Sequence, residues 1–137
     1  MDGLLRSLKA RIVGSAAGSR QARGAAAEDL AAEHLVAHGA RLLARNVRCR
    51  GGEVDLIVEH QRCIAFVEVR LRSSRSHGGA AESITRRKQK RVILAAKHWL
   101  AGPGRGCAAR PCRFDAVLLD SLQAEAIEWL QGAFDAE

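Results

Sequence analysis

The sequence predicts a mixed α/β fold, a sheet flanked by helices, and three observations carry that expectation. An alanine-rich stretch with helical spacing runs up to Gly39. Three apolar, β-branched runs follow, separated by breaks of only three or four residues. A Ser/Gly-rich loop then leads into a second helical stretch and a fourth apolar run. Helix, three strands, helix, strand is the order of a mixed sheet covered by helices. A chain of 137 residues suits one domain with a real hydrophobic core.

Taken in order, residues 1–19 read as an arm outside the domain, flexible or a short helix, and residues 20–137 as the domain itself. In the arm, Leu4, Leu5, Leu8 and Ile12 keep helical spacing but are interrupted by Arg6, Lys9 and Arg11, a pattern too broken for a secretory signal. Residues 23–38 form the first helix, stopped by Gly39 at its C-terminal cap. Gly24, Glu28, Ala31 and Leu35 lie on one stripe of it, so Glu28 borders the apolar face. Residues 41–49, 53–58 and 63–71 are three strands; the turn Arg50-Gly51-Gly52 and the polar break 59–62 make them antiparallel neighbours. After a polar loop over 72–80, residues 83–100 form the second helix, with Val92, Ala95, Ala96, Trp99 and Leu100 as its buried side. A Gly-rich loop over 102–111 precedes a fourth strand at 113–119. Residues 124–134 fit either a last strand or a helix, because Ile127, Leu130 and Phe134 keep helical spacing in a β-capable segment.

The net charge of +7 and isoelectric point near 10.1 favour polyanionic partners, nucleic acid first, although an Arg-rich soluble protein has the same balance. Aromatics make up 4% and Tyr is absent, which argues against base-stacking platforms and for reading phosphates on duplex or branched structures. No apolar run approaches the roughly 20 residues that cross a bilayer, so no membrane partner is expected. Cys49, Cys63, Cys107 and Cys112 include no Cys-x-x-Cys pair, which speaks against zinc and for reduced thiols in a cytoplasm. Cys49 and Cys63 should pack as small hydrophobes.

The chemistry concentrates in Gly52-Glu53-Val54-Asp55-Leu56-Ile57-Val58 and Ala65-Phe66-Val67-Glu68-Val69-Arg70. Each apolar strand carries an acid where burial penalises charge. Glu68 and Arg70, two residues apart, leave their strand on the same face. Carboxylates on adjacent strands beside a cation can hold Mg²⁺ or Mn²⁺ for phosphodiester hydrolysis, where the ion activates water and shields charge. Glu28, Asp55 and Glu68 are therefore the candidate acids. Arg70 stays protonated, so it can grip phosphate but not act as base. The second helix opens Ser83-Ile84-Thr85-Arg86-Arg87-Lys88-Gln89-Lys90-Arg91. Lys88 and Gln89 lie within reach of the acids, while Arg86, Arg87, Lys90 and Arg91, with Arg72 and Arg75 in the preceding loop, form a basic surface for a nucleic-acid backbone.

Each feature has a plainer alternative. Asp55 pairs with a surface Arg on a half-wet strand, Glu68 and Arg70 form a structural ion pair, Glu28 is solvated, and the basic run is a wet helix face. Glu53 sits beside a turn and reads as exposed. The five histidines show no ligand spacing, and His34 and His38 read as surface residues. Asp115 reads as structural.

The joint pattern of Gly24-Ala-Ala-Ala-Glu28, Leu43-Ala-Arg-Asn46-Val-Arg-Cys-Arg-Gly-Gly-Glu-Val-Asp55-Leu-Ile, Phe66-Val-Glu68-Val-Arg70, Ile84-Thr-Arg-Arg-Lys88-Gln89-Lys-Arg and Arg113-Phe-Asp115 resembles the YraN-like family of uncharacterised bacterial proteins. That family is similar to Holliday-junction resolvases and belongs with the restriction-endonuclease-like fold. The resemblance spans about residues 20–134. It implies a restriction-endonuclease-like mixed sheet, with Asp55 and the Glu68-x-Arg70 pair at the nuclease position, Glu28 completing the metal site and Gln89 lining it. The chain departs from the nuclease pattern at Arg70, where Lys is expected.

The function implied is a metal-dependent endonuclease on DNA, including branched recombination or repair intermediates, with a homodimer matching a two-fold junction. The alternatives are a non-catalytic DNA-binding or complex-assembly module, and a subunit whose basic face binds an acidic protein.

Overall fold

The computed structural model describes residues 19–71, 84–123 and 126–136. Its elements are α1 (Ser19–Ala37), β1 (Arg41–Cys49), β2 (Gly52–His60), β3 (Cys63–Leu71), α2 (Arg86–Ala101), a short 3₁₀ turn (Arg105–Cys107), β4 (Cys112–Leu119) and β5 (Ile127–Phe134). One five-stranded sheet runs β1-β2-β3-β4-β5. Strands β1, β2 and β3 are antiparallel neighbours, β3 and β4 are parallel, and β4 and β5 are antiparallel. Parallel pairing of β3 and β4 requires a long crossover, and α2 lies within it.

The helices cover opposite faces. Ala27, Ala31 and Leu35 of α1 pack on Leu56, Val58, Ala65, Val67, Val117 and Leu119. Val92, Ala95, Ala96 and Trp99 of α2 pack on Val54, Ile57, Ile64, Phe66 and Phe114. Strands β2 to β4 are thus buried on both sides, which explains their near-continuous apolar runs, while the edge strands β1 and β5 are half-exposed throughout. The β1–β2 hairpin turns at Arg50 and Gly51, with Gly51 at φ +84°. Gly52 then passes under α2 so closely that a Cβ there would lie 2.5 Å from the Arg91 carbonyl oxygen.

The predicted mixed sheet and the order of its elements are as expected. Helix α1 starts earlier than predicted, at Ser19, and α2 later, at Arg86, because Thr85 caps it by accepting a hydrogen bond from the Lys88 amide at 3.1 Å. The ambiguous last segment is a strand. The outer edge of β4 offers unpaired backbone groups, and pairing Val117 with Trp129 and Leu119 with Ile127 satisfies them where a helix would not. Residues 1–18 of the proposed arm, and Arg72 and Arg75, lie outside the described residues.

Candidate active site

The β2–β3 ladder runs from the His60–Cys63 pair to the Leu56–Val67 pair. One step further, Asp55 and Glu68 face each other, and the backbone pairing stops. There the Val69 amide donates to Asp55 Oδ2 at 2.8 Å, so a carboxylate takes the place of a ladder carbonyl. Both acids are buried, Asp55 at 8% exposure and Glu68 at 1%. Ile64 and Phe66 point to α2, and the alternation carries Glu68 and Arg70 to the same side. Lys88, in the first turn of α2, meets Glu68 there, with Nζ 3.3 Å from Oε2. Among the described residues no donor outside this acid pair reaches Glu68 Oε1, and the Asp55 and Glu68 carboxyls hydrogen-bond each other.

A cavity of about 300 Å³ opens over these groups and is lined by Glu28, Asp55, Glu68, Arg70 and Lys88, with Gly24 of α1 at its wall. A second cavity of about 290 Å³, between α2 and the ends of β4 and β5, is mainly apolar and holds no cluster of acids. The first is therefore the chemically capable one.

The acids perturb each other. Burial, and next the charge on Asp55, push the Glu68 carboxyl up to about 8, against the pull of Lys88. Burial also raises Asp55, opposed by the Val69 amide. Glu28 is pushed up to about 7 by burial and then by Asp55, with an Asn46 hydrogen bond and Arg45 working the other way. Three carboxyls reluctant to ionise together are what a site short of positive charge looks like. Among the described residues no three His, Cys, Asp or Glu side chains form a ready metal cage. The closely opposed oxygen donors are those of Asp55 and Glu68, with Glu28 across the cavity.

Other expected residues fall as follows. Gln89, next to Lys88, is not among the described residues that line the cavity, and its Nε2 donates to the Ile84 carbonyl at 3.0 Å. Arg86, Arg87 and Lys90 are exposed. Arg91 pairs with Glu53 at 3.6 Å, so Glu53 is half-buried and engaged at the hairpin. Asp115 is structural, as expected. It is fully buried and accepts from Arg113 Nε and Nη2 at 2.9 Å each, Trp129 Nε1 at 3.0 Å and the Gly132 amide at 3.0 Å. His34 and His38 stack with ring centroids 4.2 Å apart. All four cysteines are free thiols, and Cys49 packs against the α2-side core.

Sequence reasoning missed the support behind Glu28. Arg45 of β1 pairs with buried Asp29 and lies 3.9 Å from Glu28. Asn46 beside it takes φ +50° inside a strand and bonds to Glu28. An Asn in mid-strand is the one signal that pointed there, since Asn is depleted in strands and tolerates positive φ.

Fold and site together define a restriction-endonuclease-like α/β protein with an acidic cavity at the splayed end of two adjacent strands. The sequence pattern of Uncharacterised protein family UPF0102 matches residues 27–119. A UPF0102 protein of Cupriavidus taiwanensis is 53% identical over 120 residues, covering 87% of each chain. UPF0102 proteins of Saccharophagus degradans (49% identical; 81% of this chain and 91% of that one) and Methylobacillus flagellatus (48%; 80% and 94%) are similar over comparable spans. The chain belongs to the UPF0102 family, the YraN-like family that its motifs resemble. Among the described residues no helix is long and apolar enough to cross a membrane.

Proposed function

We propose that this chain is a Mg²⁺- or Mn²⁺-dependent endonuclease acting on duplex or branched DNA. The observation that carries the reading is the meeting of Asp55 and Glu68 over the cavity, with one buried Glu68 oxygen that, among the described residues, no donor outside the acid pair reaches. An orphaned carboxylate oxygen in an all-oxygen donor set fits a hard dication, and Mg²⁺ needs only one or two carboxylates beside its waters. When bound, such an ion polarises the phosphate and lowers the pKa of a coordinated water.

The chain's own residues supply the rest. Asp55 and Glu68 would hold the ion, each already engaged at one oxygen by the Val69 amide and by Lys88. Glu28, steadied by Asn46 and Arg45, faces the same cavity and orients water. Arg70 lines the cavity and has no carboxylate partner among the described residues, which leaves its guanidinium for two-pronged contact with a phosphate. Lys88, lining the cavity beside Glu68, positions substrate, and Gln89 braces the start of α2 through the Ile84 carbonyl. Exposed Arg86, Arg87 and Lys90, with half-buried Arg91, supply a basic surface for the DNA backbone. A cytoplasmic location goes with this reading, and a two-fold homodimer would present paired sites to a junction.

One observation favours a second reading. Arg70 cannot release a proton, so the module reading, DNA binding without efficient cleavage, has a physical basis.

A labelled four-way junction incubated with Mg²⁺ or Mn²⁺ separates the two. The nuclease cuts it, and Asp55→Asn and Glu68→Gln abolish cutting while the protein stays folded. Asn is preferred to Ala at 55 because its side-chain oxygen still accepts the Val69 hydrogen bond. Salt-sensitive junction binding with no cutting by the parent protein, across metals and substrates, would establish the module instead.

A further inference from the structure

We propose that Lys88 determines which divalent cation the carboxylates accept. By holding Glu68 Oε2 it leaves Oε1 alone to a ligand, a one-oxygen seat that suits Mg²⁺ or Mn²⁺ and penalises Ca²⁺. The inference rests on the metal-site reading above and adds the residue that sets selectivity.

The two buried acids are arranged alike. Asp55 Oδ2 is taken by the Val69 amide and Glu68 Oε2 by the Lys88 ammonium at 3.3 Å, while among the described residues no donor outside the Asp55–Glu68 pair reaches Glu68 Oε1, and the two carboxyls share a hydrogen bond whose proton an ion would displace. Each carboxylate is thus half-engaged by the protein. Ca²⁺ takes six to eight oxygens and commonly uses both oxygens of a carboxylate, whereas Mg²⁺ keeps a tight octahedron with single carboxylate oxygens and water. A carboxylate pinned at one oxygen can serve the second kind of ion without moving, but must lose its protein partner to serve the first.

The two pins differ in kind. The Val69 amide belongs to the sheet. Lys88 is a side chain, held at its base because its own amide donates to the Thr85 cap at 3.1 Å. Its side chain is partly open to solvent, at 34% exposure against 2% for that of Glu68. Removing that side chain frees Glu68 Oε2 without breaking a backbone contact. Arg70 lines the same cavity yet makes no pair with Glu68, so Lys88 is the cation that engages this acid. Lys88 acts on the ion through Glu68, which makes it a positioning residue.

The test is calorimetric titration of the full chain with MgCl₂, MnCl₂ and CaCl₂, comparing wild type with Lys88→Met and Lys88→Arg. The readout is the ratio of Ca²⁺ to Mg²⁺ affinity, because deleting a positive charge tightens every cation and only the ratio reports the seat. Lys88→Met should raise that ratio about fivefold, and Lys88→Arg, which keeps a donor on Oε2, should hold it near wild type. Lys88→Gln serves in place of Met if thermal melts show the Met variant misfolded. An unchanged ratio in a folded Met or Gln variant, with Mg²⁺ still bound by wild type, overturns the selectivity role and leaves the metal site standing. No binding of any of the three ions by wild type overturns both.

Discussion

Glu68→Gln should make the ion-free protein more stable while removing its proposed chemistry. The side chain keeps its shape and loses only its ability to ionise. In the parent, the folded state holds the Glu68 proton up to a pH of about 8, whereas a free carboxyl releases it near 4.5. The folded form therefore binds more protons between those values, and stability falls as pH rises from about 5 to 8, then levels off. At roughly 1.4 kcal/mol per unit, the ceiling on that loss is on the order of 5 kcal/mol. Gln forfeits the Lys88 ion pair, and Asp55 competes with Glu68 for the same proton, so a net gain of about 2 kcal/mol is expected. Chains of this size unfold with roughly 0.3 kcal/mol per degree of entropy, which makes the gain about 7 °C. Thermal melts in a chelator at pH 8.5 should show it, and the difference should shrink toward zero at pH 5. Adding Mg²⁺ should then raise the melting temperature of wild type and leave the Gln variant where it was. A variant no more stable than wild type at pH 8.5 would refute the claim that burial, and next the charge on Asp55, keep Glu68 from ionising in the ion-free fold.

Asp115→Asn removes a charged acceptor served by four donors and should cost about 2–4 kcal/mol in denaturant unfolding, with no change in calorimetric metal affinity. Gly52→Ala places a Cβ 2.5 Å from the Arg91 carbonyl oxygen and should destabilise by about 1–3 kcal/mol, read from the denaturation midpoint. Replacing Arg86, Arg87 and Lys90 together by Gln should weaken junction binding and flatten the slope of log affinity against log salt by about 2–3, an effect that fluorescence anisotropy across a salt series resolves.

Much of the fold was legible because local and global signals agree. The three central strands announced themselves as apolar runs, since sheets covered on both faces need no alternation. The span of β5 stayed open because Ile127, Leu130 and Phe134 satisfy two periods at once, and only the free edge of β4 decides between them. At the site, Asp55 and Glu68 were legible from the cost of placing acids in such strands. The division of labour between cations was not. Arg70 shares a strand face with Glu68, and spacing alone favours that pair, whereas the contact is made by Lys88, arriving across the crossover from another element. The Arg45 and Asn46 support for Glu28 was equally hidden, since it depends on the approach of α1 to an edge strand and on a left-handed backbone that no spacing rule encodes.

The two acids bear unequal loads. Asp55 closes the seam between β2 and β3 through the Val69 amide, so a chain without the proposed chemistry would still require an acceptor there. Glu68 keeps one oxygen that, among the described residues, no donor outside its pairing with Asp55 reaches, so a chain without the proposed metal site would hold a neutral or apolar residue there more comfortably. On the proposed metal-site reading, position 68 is the letter that reports the site, whereas an aspartate at 55 also serves the sheet.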